Sequence, residues 1–380
     1  MNLARCLLAS LLASALVACE KPVAPANPPK PEPSPSARSA PPSAESPSQP
    51  TPDATADADQ PVGEIDRSIL HRYGREEPRD RTPGTIRIAT YNIENLFDDK
   101  DDPDLTGRFE DIDDVKPDAQ LKAVAETITR IDADILAVEE IESSDALIEF
   151  RDTYLQGLGY DHVVSLDAGD ERGIEQAVLS RFPIIDQRQW VKRPLGGVHP
   201  ERYGNAENWH AGQPIAFHRS PLMVTVEVPG SVTGGTPYAL TLLAVHYKSG
   251  APAGYWREAE AKGTLEVISE LMAENPDRNL VLLGDFNATT ADKSYKMFLD
   301  GGLVDILGTR QGPEWVSHAS GRRIDHILAN QQALDEILPD TAFILGTTVG
   351  PEELNWSEAA LLPGYASDHY PLVVDIKVGE

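Results

Sequence analysis

The chain has 380 residues, enough for one large domain or two ordinary ones. With 61 acidic against 33 basic residues and a formal charge of −28, it lacks the clustered Lys and Arg needed for a broad basic face on nucleic acid. Its two cysteines, Cys6 and Cys19, lie near the N-terminus; this excludes disulfides, a thiolate zinc site and a cysteine nucleophile from the rest of the chain. A metal there has only oxygen and nitrogen ligands, which favours hard cations such as magnesium or manganese.

In chain order, Arg5 precedes a short apolar run from Cys6 to Ala18, too short to span a bilayer as a helix. Leu16-Val17-Ala18-Cys19 resembles a bacterial lipoprotein box, which implies a signal peptide over 1–18 and lipidation of Cys19. Glu20 follows where an inner-membrane retention signal has aspartate, so the expected address is the outer membrane of a cell envelope. Residues 19–82 are rich in Pro, Ala and Ser and poor in large apolar residues; such a segment cannot offset its chain entropy and reads as an extended tether. The folded unit is expected to begin near Thr85, giving a catalytic domain over 83–380.

From there strand-like and helix-like runs alternate. Residues 86–94 read as a strand, and 118–131 carry a helical stripe at Leu121, Val124, Ala125 and Ile128. The continuous apolar run 133–141 suits a buried strand, followed by a helix over 146–155 and strands at 160–167 and 175–184. Residues 188–218, with Trp190, His199, Trp209 and His210, read as a long surface loop. Strands follow at 221–228 and 238–247, a helix at 255–274, and strands at 279–284, 324–329 and 370–378. This alternation predicts either two central sheets between helices or one doubly wound parallel sheet, which periodicity does not separate. There is no glycine-rich phosphate loop after the first strand, against a nucleotide-binding fold.

Polar residues appear abruptly where apolar strands end: Asn92 and Glu94, Glu139 and Glu140, His246 to Ser249, Asp285 and Asn287, and Asp368-His369; Asp325 and His326 instead enter a strand. Such groups are costly to bury unpaired, and strand ends meeting at one sheet edge form a cleft suited to a divalent cation. A strand's period of two points Asp285 and Asn287 to one face and Phe286 to the other. Taken singly, each residue is as readily a turn former, a solvated edge carboxylate or a packed imidazole.

The ordered set TYNIEN, LAVEEIE, VHYKS, LGDFNA, RIDHIL and SDHYPL resembles the endonuclease/exonuclease/phosphatase superfamily, over residues 86 to 378. NLFDDKDDPD is similar to a secreted and lipoprotein nuclease branch in bacteria. The resemblance implies a deoxyribonuclease-like four-layered α-β-β-α sandwich with two central mixed β-sheets, and a Mg²⁺- or Mn²⁺-dependent phosphoric ester hydrolase. It implies that Glu140, with Asn92 and Asp368, holds the metal, and that Asp285 and Asn287 position the attacking water and the scissile phosphate. His369 then activates water or stabilises the phosphoryl transition state, oriented by Asp325, and His246 contacts the phosphate. Relatives have Gln before the metal glutamate where this chain has Glu139, so either Glu139 or Glu140 is the ligand, and a regular strand admits one of them to the cleft. Glu175 is a candidate carboxylate partner of His246, and Arg172 and Arg219 are candidate contacts to substrate phosphate.

The expected function is an envelope-tethered or extracellular nuclease, monomeric, acting on DNA or RNA and attached to the membrane by its lipid. The alternatives are the same site acting on lipid head groups, inositol phosphates or other small phosphoesters, and a non-catalytic binding module. The last predicts lost site residues, and none is lost.

Overall fold

The computed structural model describes residues 73–103, 105–106, 109, 111–348 and 363–378. The expected signal peptide, Cys19 and all of the tether before Tyr73 lie outside the described residues. The strands are β1 Thr85–Leu96, β2 Ile135–Ile141, β3 His162–Ser165, β4 Glu175–Ser180, β5 Ile184–Arg188, β6 Pro194–Val198, β7 Arg202–Tyr203, β8 Ala206–Glu207, β9 Pro214–Ala216 and β10 Leu222–Val228, then β11 Tyr238–His246, β12 Asn279–Asp285, β13 Val304–Asp305, β14 Asp325–Ala329, β15 Ile337–Ile344 and β16 Leu372–Lys377. The α-helices are α1 Asp118–Ile131, α2 Ser144–Tyr154, α3 Gly230–Thr233, α4 Gly254–Glu274, α5 Lys293–Asp300 and α6 Gln331–Leu334.

Two six-stranded mixed sheets result, ordered β15-β16-β1-β2-β4-β3 and β13-β14-β12-β11-β10-β5. Alternation along β1 and β2 makes the layers. Ile86, Ile88, Ile135 and Ala137 join Leu242, Leu283 and Ile327 in the core between the sheets. Ala89, Tyr91, Leu136 and Val138 face outward onto Val124, Ile128 and Leu147 of α1 and α2. On the second sheet, Leu243, Leu280 and Leu282 pack on Val267 and Leu271 of α4 and Phe298 of α5. Strands buried on both faces must be apolar at every position, which is why 133–141 reads as a continuous run. The architecture is the four-layered sandwich, not the doubly wound sheet.

Three expectations change. The body reaches further toward the N-terminus than residue 83: Arg75 N donates to Ile344 O at 2.8 Å and Gly74 N to Pro313 O at 3.0 Å. The 188–218 segment is not irregular throughout, since β6 pairs with β9 and β7 with β8. Its rings form a small core on α4, where His199 lies 4.4 Å and His210 5.2 Å from the Trp256 ring. Finally, β15 and α5 stand where no element was expected. β15 contains Pro339 and Asp340 and shifts register between Leu338 and Phe343, features tolerated because it is an edge strand.

Candidate active site

The parallel pairs β1/β2 and β11/β12 bring four C-terminal strand ends to one edge of the sandwich, where the antiparallel β14 and β16 contribute their N-terminal ends. Asn92 closes the regular part of β1. Beyond it, Glu94 and Asn95 both take φ 54° and the register with β2 slips. The Asn92 amide is buried; its Nδ2 donates to Glu140 Oε1 and to Asp285 Oδ2, each at 3.3 Å.

The two glutamates of β2 separate through a bulge. Glu140 has φ 63°, a left-handed conformation costly for a residue with a Cβ, and the pairing with β4 slips between Glu139 and Ile141. Glu139 keeps strand geometry and points between the sheets, fully buried, accepting from Thr90 Oγ1 at 2.9 Å. Burial, and then the nearby Asp325, push its carboxyl well above the usual range. Glu140 turns out of the strand into the cleft, with Oε1 3.7 Å from His246 Nε2.

Asp285 and Asn287 converge as expected, though through a turn rather than a continued strand. Asn287 has φ 47°; its backbone N–H donates to Asp285 Oδ1 at 2.7 Å and its side-chain Nδ2 to Asp285 Oδ2 at 3.0 Å. Phe286 goes the other way, into the core under α4 and α5. Gly284 makes this turn possible: its φ is +135°, and a Cβ there would lie 2.0 Å from Val245 O.

His369 stands against Asp325, with Nδ1 2.9 Å from Asp325 Oδ2 and 3.0 Å from Oδ1. Ser317 Oγ donates to the same carboxylate at 2.6 Å and accepts from the Ile324 and Asp325 amides, so Asp325 is locked before it holds the imidazole. His369 Nε2 therefore faces the cleft, 3.7 Å from Asp285 Oδ2. Burial disfavours its charge, but Asp325 and Asp285 more than offset this and hold the ring well above its ordinary pKa. His246 is the opposite case: burial and then the Arg219 guanidinium push it well below, so it is neutral. Its Nε2 is 3.5 Å from Asp285 Oδ2. Glu175 is not its partner, being bonded to Ser165 Oγ.

The two candidate arginines differ. Arg219 is buried, its Nε on His246 O at 2.9 Å, Nη1 on Asp170 Oδ2 at 3.0 Å and Nη2 on Tyr247 O at 3.3 Å, so it braces the end of β11. Arg172 is half-buried and donates to the neutral Asn95 Oδ1.

Three residues of the cluster were not singled out in the sequence. His318 bridges backbone to backbone with His369 and places Nε2 3.2 Å from Asp368 Oδ2. Burial raises Asp368, but this hydrogen bond and the His369 charge outweigh it and hold it at about 2. Glu94, part of a quoted motif but given no role, accepts from Gln120 and from Tyr365. Burial, followed by the Asp368 charge, pushes it up to about 7. Lys116 is buried, donates to Glu94 O at 2.5 Å, and feels the charges of Glu94, Glu140 and Asp368. No local pattern marks His318 or Lys116, which lie in loops five or more residues from the nearest motif.

The donor set fits a hard divalent cation. Carboxylates of Glu140, Asp285, Asp368 and Glu94 crowd one cleft closely enough to feel one another's charge. Burial first, with Asp325 and Glu140 adding repulsion against the relief from His369, raises Asp285 to about 6. Among the described residues, two groups of His and acidic side chains have ligand atoms within 4.8 Å of one another: His318-Asp368-His369 and Asp285-Asp325-His369. The second is a histidine–carboxylate hydrogen bond already in use.

The family model described as "Endonuclease/Exonuclease/phosphatase family" matches residues 89–369, from β1 to the catalytic-edge histidine. Comparison with the curated proteins gave no match. Among solved structures, a Bacteroides thetaiotaomicron mannosyl-6-phosphatase is 18% identical with TM-score 0.47, covering 76% of this chain and 98% of its own. The human Nocturnin catalytic domain is 14% identical with TM-score 0.46, covering 78% and 95%. Truncated Caenorhabditis elegans TDP2 is 14% identical with TM-score 0.46, covering 77% and 97%. At these identities nothing about substrate passes from them to this chain.

Proposed function

Because this chain belongs to the endonuclease/exonuclease/phosphatase family, we propose that it is a divalent-cation-dependent phosphodiester hydrolase acting on nucleic acid, with water activated at the His369–Asp285 pair. The observation that carries this reading is the Asp325-His369-Asp285 array. Asp325 holds Nδ1, Nε2 faces the cleft, and Asp285 Oδ2 is 3.7 Å away, a gap that a nucleophilic water spans with a hydrogen bond to each.

In-line attack moves a proton from that water onto the pair as the P–O bond to water forms and the bond to the leaving oxygen breaks. Asn287 holds Asp285 in place through two hydrogen bonds. Neutral His246, at the far side of Asp285, hydrogen-bonds a non-bridging phosphoryl oxygen. Glu140, Asn92 and Asp368 would hold magnesium or manganese, which when bound would supply positive charge against that developing on the phosphoryl oxygens. The proposal extends to the cell: Cys19 is lipidated, and a monomeric domain works on a tether at the outer membrane. The support is the sequence of the leader and tether. Label from palmitate that persists on Cys19→Ser would defeat the anchor.

The test is hydrolysis by the purified protein, with magnesium or manganese, of bis(p-nitrophenyl) phosphate, duplex and single-stranded DNA, RNA, sphingomyelin and inositol phosphates. Nucleic acid should be cut, and His369→Ala should lose about 10²- to 10⁴-fold. No hydrolysis by the wild type, or an equal rate for the variant, overturns the catalytic reading. Hydrolysis of a lipid or inositol phosphate alone overturns the nucleic-acid part.

A further inference from the structure

The NLFDDKDDPD stretch takes no part in the reaction, yet two of its residues reach acids outside it. Asp98 N donates to Glu142 Oε2 at 2.7 Å, and Asp102 N to Asp111 Oδ2 at 2.8 Å. Glu142 stands just past the end of β2, and Asp111 lies in the segment between β1 and α1. Their carboxyls face each other within hydrogen-bonding reach.

The independent observation is an oxygen without a donor. Asp111 is 1% exposed, and its Oδ1 is buried with no hydrogen-bond partner. Among the described residues no Lys, Arg or His pairs with either acid. Lys100 is held by Asp98 and Glu149, and Lys116 by Glu94 O. Burial above all, with the Asp98 and Asp111 charges against the relief from the Asp98 amide, pushes the Glu142 carboxyl up to about 7. No acid of the catalytic cleft is among the charges that weigh most on it. A buried carboxylate oxygen left unsatisfied is costly, and two carboxylates in contact repel. Such a pair needs positive charge between its members, either a shared proton or a cation.

We propose that Asp111 and Glu142 hold a calcium ion, at a site separate from the cation of the catalytic cleft. The donors are hard oxygens on irregular backbone, which suits calcium's flexible shell of about six to eight oxygens better than the strict octahedron of magnesium. Among the described residues no third His or acidic ligand atom joins the pair within 4.8 Å, so backbone carbonyls and water complete the shell. Calcium there fastens the segment between β1 and α1 to the end of β2, two residues from Glu140. The same segment carries Lys116, whose ammonium donates to Glu94 O.

The experiment is calorimetric titration of calcium chloride into the metal-free full chain at pH 8, beside Asp111→Asn and Glu142→Gln. Both substitutions keep the side chain's shape and remove one charge. Each should lose one equivalent of calcium relative to the parent, or bind it about 10-fold or more weakly, whatever the catalytic cleft binds. Saturating calcium should also raise the parent's melting temperature by several degrees more than that of either variant. Glu140→Gln should keep the equivalent that the two variants lose. Should one of the pair fail to fold, the other carries the comparison. Equal stoichiometry and affinity in the parent and the variants overturn the site, as does loss of that equivalent from Glu140→Gln alone. A parent that binds no calcium shows a shared proton alone joining the two acids, and overturns it as well. None of these outcomes bears on the hydrolytic reading, which is tested separately by His369→Ala.

Discussion

His318 Nε2 donates to Asp368 Oδ2 at 3.2 Å, and the direction of that bond is settled by the backbone. Ser320 N–H donates to His318 Nδ1 at 3.0 Å, which leaves the ring proton on Nε2. One oxygen of Asp368 is thus held by the His318 imidazole, while Oδ1 lies 3.9 Å from His369 Nε2. An oriented carboxylate next to the His369 ring is what a cation site needs from its surroundings.

His318→Ala is therefore expected to weaken manganese binding by about 10- to 100-fold, measured by calorimetry on the otherwise unaltered protein. A dissociation constant within twofold of the wild type would show that Asp368 needs no such support.

The bulge at Glu140 assigns different work to the two glutamates. Glu140→Gln should abolish measurable manganese binding and reduce phosphodiester hydrolysis by at least about 10²-fold. Glu139→Gln should retain both, since an amide oxygen still accepts from Thr90 Oγ1 and burial disfavours the charge of the native carboxyl. The reverse pattern would move the ligand to Glu139.

Glu175 gives a pH prediction. Burial, above all, lifts its folded-state pKa from 4.5 to about 7. A raised carboxyl pKa means that the folded state binds the proton more tightly. Stability is then favoured below pH 4.5, falls as pH rises through that window, and stays lower above pH 7. Glu175→Gln removes the titration, so its melting temperature should fall less between pH 5 and pH 8 than that of the wild type. Parallel melting curves across that range would refute this account.

Gly284→Ala should destabilise the fold by about 3 kcal/mol or more in urea denaturation, because φ +135° and a Cβ 2.0 Å from Val245 O leave no room without moving the β11–β12 pair. A loss under about 1 kcal/mol would mean that the turn carries no such constraint.

Much of this site is legible in the chain because strand ends announce themselves. An apolar run broken by Asn92, Glu140, His246 or Asp285 marks a point where a sheet stops burying side chains, and the parallel crossovers carry those ends to one edge. Helix α1 is equally legible: its expected bounds, 118–131, are those observed, since its stripe meets one apolar sheet face. β15 was not legible, because Pro339 and Asp340 are allowed by its position at a sheet edge and not by local propensity.

The sequence by itself determined the alternation of strands and helices and where polar groups break apolar strands, for these depend on side-chain type and on periods of two and 3.6 residues; that the strands form two sheets rather than one was not fixed by periodicity. Only the tertiary structure decided which glutamate enters the cleft, since that choice turns on one left-handed φ at Glu140. It alone joined His318 to Asp368 across fifty positions and packed His199 and His210 on Trp256. Such pairings arise when the sheets close on each other, and no local pattern encodes a contact whose partner lies on another layer.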